Sequence, residues 1–304
     1  MRTFLIATRG SDLARWQAGW VRQAILRAHR DVEAELTVLS TRGDRVLDVA
    51  PDRIPGKGLF TKEVEEALLE GRARLAVHSL KDLPTESSPG LVIAAVLPRE
   101  DPADGWVSRL GQALEDVPRG AKVMTGSLRR SAQLLHRRPD LTILPIRGNV
   151  PTRLRKFDES DADGLVLACA GLIRLGLGGR IARRLDPSEF LPACGQGALA
   201  VQCRQDDAEA REICRPLEDA ASRACVTAER AFLAAMGGGC QAPIGAYATL
   251  VRGGRLHLIG MVASPDGSRR VVRSAEADAP GLAAAEELGR QVAAQVRAEG
   301  GPAP

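Results

Sequence analysis

The order of apolar segments predicts an α/β protein: two doubly wound α/β lobes followed by a smaller α+β domain. Three observations carry this. The first third of the chain alternates strand and helix patterns as β-α-β-α-β, an order that yields a parallel sheet with right-handed crossovers. A second α/β unit begins after the Pro98-Arg99-Glu100-Asp101-Pro102 break, read as a hinge. Beyond residue 220 the pattern changes to a long helix, short alternating strands and a closing amphipathic helix.

The elements follow in order. Phe4 to Thr8 reads as a strand, and Arg9-Gly10-Ser11-Asp12 as a turn in which Ser11 or Asp12 caps the next helix. That helix places Leu13, Trp16, Trp20, Ala24, Ile25 and Ala28 on its expected inner face. Val32 to Val38 alternates as a strand, and Phe60, Val64, Ala67 and Leu68 stripe a second helix. Leu75 to Leu80 is a short buried strand. In the second unit, Thr125-Gly126-Ser127 opens a helix from Leu128 to about Arg138, stopped by Pro139. Leu141 to Ile146 and Leu165 to Ala170 read as strands, and Gly148-Asn149-Val150-Pro151-Thr152 as a loop. After the Gly195-Gln196-Gly197 crossing, Ala198 to Cys203 reads as a strand returning to the first lobe. A helix from Ala220 to Met236, strands around Ala246, Leu256 and Val271, an Asp266-Gly267 hairpin turn and a helix from Leu282 to Val296 complete the chain. The expected domains are 1–98 with 198–216, 103–192, and 220–304.

Composition narrows the function classes. The chain has 304 residues, 44% hydrophobic and 26% charged, the balance of a globular protein. No apolar run reaches the ~20 residues that span a bilayer, and the short apolar N-terminus reads as a strand, not a signal peptide. The six cysteines show no CxxC spacing and read as reduced thiols in the cytoplasm. Four scattered histidines make a metal site unexpected. Nucleic acid is also unexpected: aromatics are 3%, and the basic residues lie in separated loops instead of along one stripe. Only five of the 42 basic residues are lysines, so Lys57 and Lys81 stand out against an arginine background.

Several segments carry candidate chemistry. Cys240 follows Gly237-Gly238-Gly239, bare backbone that a bulky electrophile can approach. The same pattern also suits a helix C-cap followed by a buried thiol, and Cys240 alone does not decide between them. In His78-Ser79-Leu80-Lys81-Asp82-Leu83-Pro84 a strand ends, and open α/β sheets bind ligands at the carboxyl ends of their strands. A charged Asp82 there suits stabilisation of positive charge on a substrate; a solvated Lys-Asp pair is the plain alternative. Arg129 and Arg130 open a helix behind Thr125 and Ser127, a setting for anions. Arg9, Arg147, Arg153 and Arg174 stand at other strand exits or helix starts. Each alone is an ordinary surface arginine; together they imply a polyanion held by bidentate forks. Gly56-Lys57-Gly58-Leu59-Phe60 lacks the spacing of a phosphate loop.

These segments, in this order, resemble the porphobilinogen deaminase family over essentially the whole chain. Ala7-Thr8-Arg9, Thr41-Arg42-Gly43-Asp44, Gly56 to Phe60, Ala76 to Asp82, Ser127 to Arg130, Arg147 to Val150, Gly195 to Gly197 and Gly238 to Gln241 all match its motifs. The resemblance implies hydroxymethylbilane synthase activity: four porphobilinogen molecules joined head to tail, each losing ammonia, on a dipyrromethane cofactor bound through a thioether to Cys240. Hydrolysis then releases the linear tetrapyrrole. Asp82 matches the catalytic aspartate, which binds pyrrole N–H groups and stabilises the cationic azafulvene. Ser79, Lys81, Thr125, Ser127, Arg129 and Arg130 match cofactor contacts; Arg9, Ser11, Arg147, Arg153 and Arg174 match substrate contacts. Lys57 and Phe60 match a mobile loop over the cleft. The fold implied for the first two domains is that of periplasmic binding proteins, with the cleft between the lobes, and the expected state is a cytoplasmic monomer with no membrane or nucleic-acid partner.

Four departures from the family pattern stand out. Gly126 replaces a serine, Arg53 a lysine, Pro151 a glycine and Gly237 a larger residue. Two other readings share the same fold and arginines: an anion-binding protein without catalysis, and a deaminase-like paralogue that binds oligopyrroles without turnover.

Overall fold

The structure is a computed structural model and describes residues 2–40, 61–237, 242–278 and 281–301. The chain divides into two compact units, Met1–Glu100 with Ala198–Arg223 and Asp101–Gly197 with Ala224–Pro304.

The first unit begins with β1 (Arg2–Arg9), α1 (Asp12–Ala28), β2 (Val32–Leu39), α2 (Lys62–Leu69), β3 (Leu75–Ser79) and β4 (Leu91–Val96). Alternation along β1 explains the two covered faces. Phe4 and Ile6 pack with Ala18, Val21 and Ile25 of α1, while Ala7 packs with Val64 and Leu68 of α2. A strand buried on both faces reads as a nearly continuous apolar run. Ser11 caps α1, its side chain accepting from the Ala14 N–H. The inner face of α1 differs from the expected one. Gln17, Ala18, Val21 and Ile25 are buried, whereas Trp16 and Trp20 remain 39% and 37% exposed. Small Ala18 and Val21 let the helix backbone sit close to Phe4 and Ile6; two indoles at that distance would overfill the layer.

The second unit opens with β5 (Asp104–Ser108), β6 (Lys122–Met124), α3 (Leu128–Arg137), β7 (Thr142–Leu144), α4 (Val150–Asp158), β8 (Gly164–Ala168), α5 (Cys169–Arg174) and β9 (Arg183–Arg184). Its sheet order is β7-β6-β8-β5-β9, with β6 parallel to β7 and β8 and β5 antiparallel to β8. Trp106, Val123 and Val166 face Leu134 of α3. Val107, Leu165 and Leu167 face Leu154 and Phe157 of α4. Two readings shift here. The segment after Arg147 is not a loop: Asn149 accepts from the Thr152 N–H and starts α4, with Pro151 in the first turn, where its missing N–H costs nothing. The strand expected to reach Ala170 ends at Ala168, and Cys169 opens α5.

The chain then re-enters the first sheet as β10 (Leu199–Arg204), followed by α6 (Ala208–Cys214). The order becomes β2-β1-β3-β10-β4, with β10 antiparallel to both β3 and β4. The last part contains α7 (Ala220–Ala235), β11 (Ile244–Leu250), β12 (Arg255–Ala263), β13 (Arg270–Asp278) and α8 (Leu282–Ala298). Its strands form an antiparallel sheet in sequential order. Phe232 of α7, Leu258 of β12 and Val292 of α8 share its core. A Cβ on Gly289 would lie 2.4 Å from the Ala228 carbonyl oxygen, so this glycine permits the close approach of α8 to α7. No helix among the described residues is long and apolar enough to cross a membrane.

Candidate functional site

In the first unit the predicted residues gather at the carboxyl ends of β1 and β3, which are parallel neighbours. Arg9 ends β1 and Ser11 caps α1. Beyond β3 the chain makes a 3-10 turn, Leu80–Asp82. Leu80 is fully buried, and its N–H donates to the Ala198 carbonyl at 3.0 Å. This anchor leaves Asp82 exposed and Lys81 half-buried. Ser79 accepts a hydrogen bond from Gln17 Nε2 at 2.9 Å.

One residue before Ser79, on the opposite face, lies a buried polar group the motif reading passed over. His78 Nε2 and Gln202 Oε1 are buried with no hydrogen-bond partner among the described residues. Gln202 Nε2 donates to Glu65 Oε1 at 2.9 Å, and Ser88 Oγ donates to Glu65 Oε2 at 2.8 Å. Burial pushes the His78 imidazole down to about 4; the nearby Gln202 amide opposes this, and the charge of Arg9 adds to it. His78 is therefore neutral at pH 7.

In the second unit the predicted residues gather at the carboxyl ends of β6, β7 and β8. Thr125 follows β6, and its Oγ1 accepts from the Ser127 N–H at 3.2 Å. Ser127 caps α3. The side chains of Arg129 and Arg130 do not point into solvent; each is 5% exposed. They converge on Asp104, the fully buried first residue of β5. Arg129 Nη1 donates to Asp104 Oδ2 at 2.8 Å and to the Leu191 carbonyl at 2.6 Å. Arg130 donates to Asp104 Oδ1 from Nε at 3.0 Å and from Nη2 at 2.6 Å, and from Nη1 to the Val166 carbonyl at 3.1 Å. Gln196 Nε2 adds a contact to Asp104 Oδ1 at 2.9 Å. Burial opposes the charge on Asp104, but the attraction of Arg129, then Arg130, outweighs it and holds the carboxyl well below the usual carboxylate range. Two cations over one anion leave a surplus positive charge at this edge.

The remaining arginines are also engaged. Arg153, in the first turn of α4, donates from Nε to the Gly148 carbonyl at 2.7 Å. Arg174 Nη2 donates to the Gly197 carbonyl at 2.7 Å. The Arg147 carbonyl accepts from Lys156 Nζ at 3.2 Å. At Gly126, a Cβ would stand 2.5 Å from the Ile146 carbonyl oxygen, so a side chain there would require the backbone to shift.

Lys57, Phe60 and Cys240 lie outside the described residues, as do Thr41 to Asp44, Arg53 and Gly56. The five other cysteines are buried. Burial is the first cause that pushes the thiols of Cys169 up to about 12 and Cys203 up to about 11, and it raises Cys214 as well. These three are poor nucleophiles. Motif reading missed Asp104; its only trace is an acid beside Ala103, Gly105, Trp106 and Val107 at the start of an apolar strand.

Fold and site define a class: a mixed α/β protein whose second sheet ends in a cation-rich cluster, followed by a distinct C-terminal domain. The chain belongs to the porphobilinogen deaminase family. Residues 4–212 match the model described as "Porphobilinogen deaminase, dipyromethane cofactor binding domain", and residues 223–298 match "Porphobilinogen deaminase, C-terminal domain". Among curated relatives, the porphobilinogen deaminase of Syntrophotalea carbinolica is 48% identical over 295 residues, covering 97% of this chain and 92% of its own length. That of Chromobacterium violaceum is 49% identical over 293 residues, covering 96% and 94%. A solved YaeC-family lipoprotein from Enterococcus faecalis V583 is 17% identical with a TM-score of 0.44, covering 72% of this chain and 92% of its own.

Proposed function

We propose that the chain is a hydroxymethylbilane synthase, a transferase that condenses four porphobilinogen molecules with loss of ammonia and releases the linear tetrapyrrole. Beyond family membership, the observation that carries this reading is the cluster around Asp104, whose surplus charge and arginine donors suit ligand carboxylates. Dipyrromethane carries acetate and propionate groups, and the chemistry of this donor set fits them. Thr125, Ser127, Arg129 and Arg130, with Ser79 and Lys81, would hold those groups, and Cys240 would carry the covalent bond. When bound, dipyrromethane supplies the pyrrole end onto which porphobilinogen is condensed.

Within this reading, Asp82 is the catalytic residue. Its exposed carboxylate, held on a short turn anchored by Leu80, opposes the positive charge that develops as ammonia leaves. Arg9, Ser11, Arg147, Arg153 and Arg174 would receive the carboxylates of incoming substrate, and Lys57 and Phe60 would belong to a loop over the site. The raised thiol values of Cys169, Cys203 and Cys214 support Cys240 as the attachment point, since the thiolate is the reactive form. The same reading keeps three domains, 1–98 with 198–216, 103–192 and 220–304, in a cytoplasmic monomer.

The test is the intact mass of the denatured protein, before and after incubation with porphobilinogen, with peptide mapping. An increment of two linked pyrroles on the Cys240 peptide, absent from Cys240→Ala, supports the reading. An adduct on another cysteine would refute the attachment site, and an adduct-bearing chain that consumes no porphobilinogen would point to a paralogue without turnover.

A further inference from the structure

The hydrogen bonds around Asp104 divide the two neighbouring arginines into unequal partners. A guanidinium has five N–H donors in a fixed plane. Arg129 spends both protons of Nη1, on Asp104 Oδ2 and on the Leu191 carbonyl. Its Nε and Nη2 donate to nothing among the described residues, and together they form the side-on fork that binds a carboxylate bidentately. Arg130 is used differently. Its Nε and Nη2, the same side-on fork, are already closed on Asp104 Oδ1, and Nη1 is drawn to the Val166 carbonyl. Gln196 shares that Asp104 oxygen and also donates to the Pro102 carbonyl at 2.8 Å, which fixes the carboxylate against the strand start. Gln133 Nε2 donates to the Leu191 carbonyl at 3.0 Å, so the second anchor of Arg129 is itself held.

We propose that Asp104 is a positioning residue: it immobilises Arg129 through Nη1 so that the Nε/Nη2 fork of Arg129 faces a ligand carboxylate, while Arg130 serves chiefly to hold Asp104. This rests on the reading that Arg129 contacts the acidic side chains of a pyrrole ligand, and it adds a division of labour between the paired arginines. A rival role is open to Asp104, and it has the opposite sign. If the carboxylate merely tempered the positive charge of the cluster, its removal would leave two uncompensated cations and tighten anion binding.

The experiment follows uptake of porphobilinogen by the apo form of the full chain, read as the rate at which the two-pyrrole mass increment accumulates. Wild type is measured first; a wild-type chain that takes up no pyrrole overturns both the reading and the proposal. Given uptake, Asp104→Asn and Arg129→Gln should each slow it about tenfold, the scale of one lost charge-assisted contact. The double variant should be little slower than the slower single one, because both changes remove the same contact. Asp104→Glu should recover part of the rate. Uptake by Asp104→Asn at or above the wild-type rate would overturn the proposal, as would losses that multiply in the double variant. Should Asp104→Asn fail to fold, the pair Asp104→Asn with Arg130→Met keeps the net charge of the cluster at its wild-type value while removing the clamp. Uptake by that folded pair slower than by Arg130→Met alone supports positioning, and uptake equal to or faster than that single variant refutes it.

Discussion

The two five-stranded sheets share one strand order but treat the acid at their carboxyl-terminal edge in opposite ways. In the first, Ser79 at the end of β3 pairs with Leu199 at the start of the antiparallel strand β10. In the second, Ala168 at the end of β8 pairs with Asp104 at the start of the antiparallel strand β5. The topological position that holds an apolar leucine in one sheet holds a fully buried aspartate in the other. The acid of the first sheet, Asp82, comes instead from the turn after the parallel strand and is exposed. Exposure leaves a carboxylate available to a ligand at little cost to the fold. Burial forces it to recruit cations, and those cations then become fixed parts of the structure.

The contrast can be broken most sharply at the two acids. Asp82→Asn should lower porphobilinogen turnover about 10²–10³-fold, the scale of one lost electrostatic stabiliser. Its thermal midpoint should move by no more than about 2 °C, as for a surface substitution. A large drop in midpoint would mean that the turn depends on this carboxylate. Asp104→Ala should do the reverse and lose about 3–5 kcal/mol of folding stability in urea titrations, since it strands two buried cations. The contribution of Asp104 is present above the unfolded carboxylate value of about 3.9 and is lost as pH falls through its lowered folded value. The stability gap between wild type and variant should therefore stay level from pH 7 to 5 and close only in stronger acid.

His78 sharpens the comparison, because it places a buried titratable group in the first sheet as well. The unfolded imidazole binds a proton near 6.5 and the folded one near 4. Between these values the unfolded chain takes up a proton that the folded chain refuses. Stability from this group is thus full above pH 6.5 and falls by up to about 3 kcal/mol as pH drops toward 4. Urea titrations of wild type and His78→Gln across that window should converge as pH falls; parallel curves would show that His78 is solvated in the fold. The smallest effect is expected at Gly126→Ser. The added Cβ meets the Ile146 carbonyl, and a loss of about 1–3 kcal/mol is the usual scale for an overpacked site. An unchanged midpoint would mean that the backbone after β7 gives way.

Legibility differed by the range of the interaction. The apolar run from Phe4 to Thr8 was legible as a strand, and the strand end before Pro84 could be placed from that proline. The helix holding Trp16 and Trp20 was legible as a helix, but its inner face was not. Periodicity marks an apolar stripe; which part of it packs depends on the side-chain volume the facing strand accepts. Asn149 was readable as a cap only once the chain beyond it was known to be helical. Arg129 and Arg130 were readable as residues of a helix start, but their shared partner was not, because Asp104 lies 25 and 26 residues away.

By itself, the sequence determined the α/β alternation, the strand exits where charged residues collect, and the family to which the motifs belong. Each of these depends on neighbours within a few residues, where turn chemistry and apolar period act directly. Tertiary structure alone decided that β10 enters the first sheet antiparallel, that Asp104 is buried under two arginines, and which guanidinium nitrogens those described contacts occupy. Those outcomes require a strand start, a helix start and a crossing loop to meet in one low-dielectric place, where an unpaired charge is costly and every donor must find a partner.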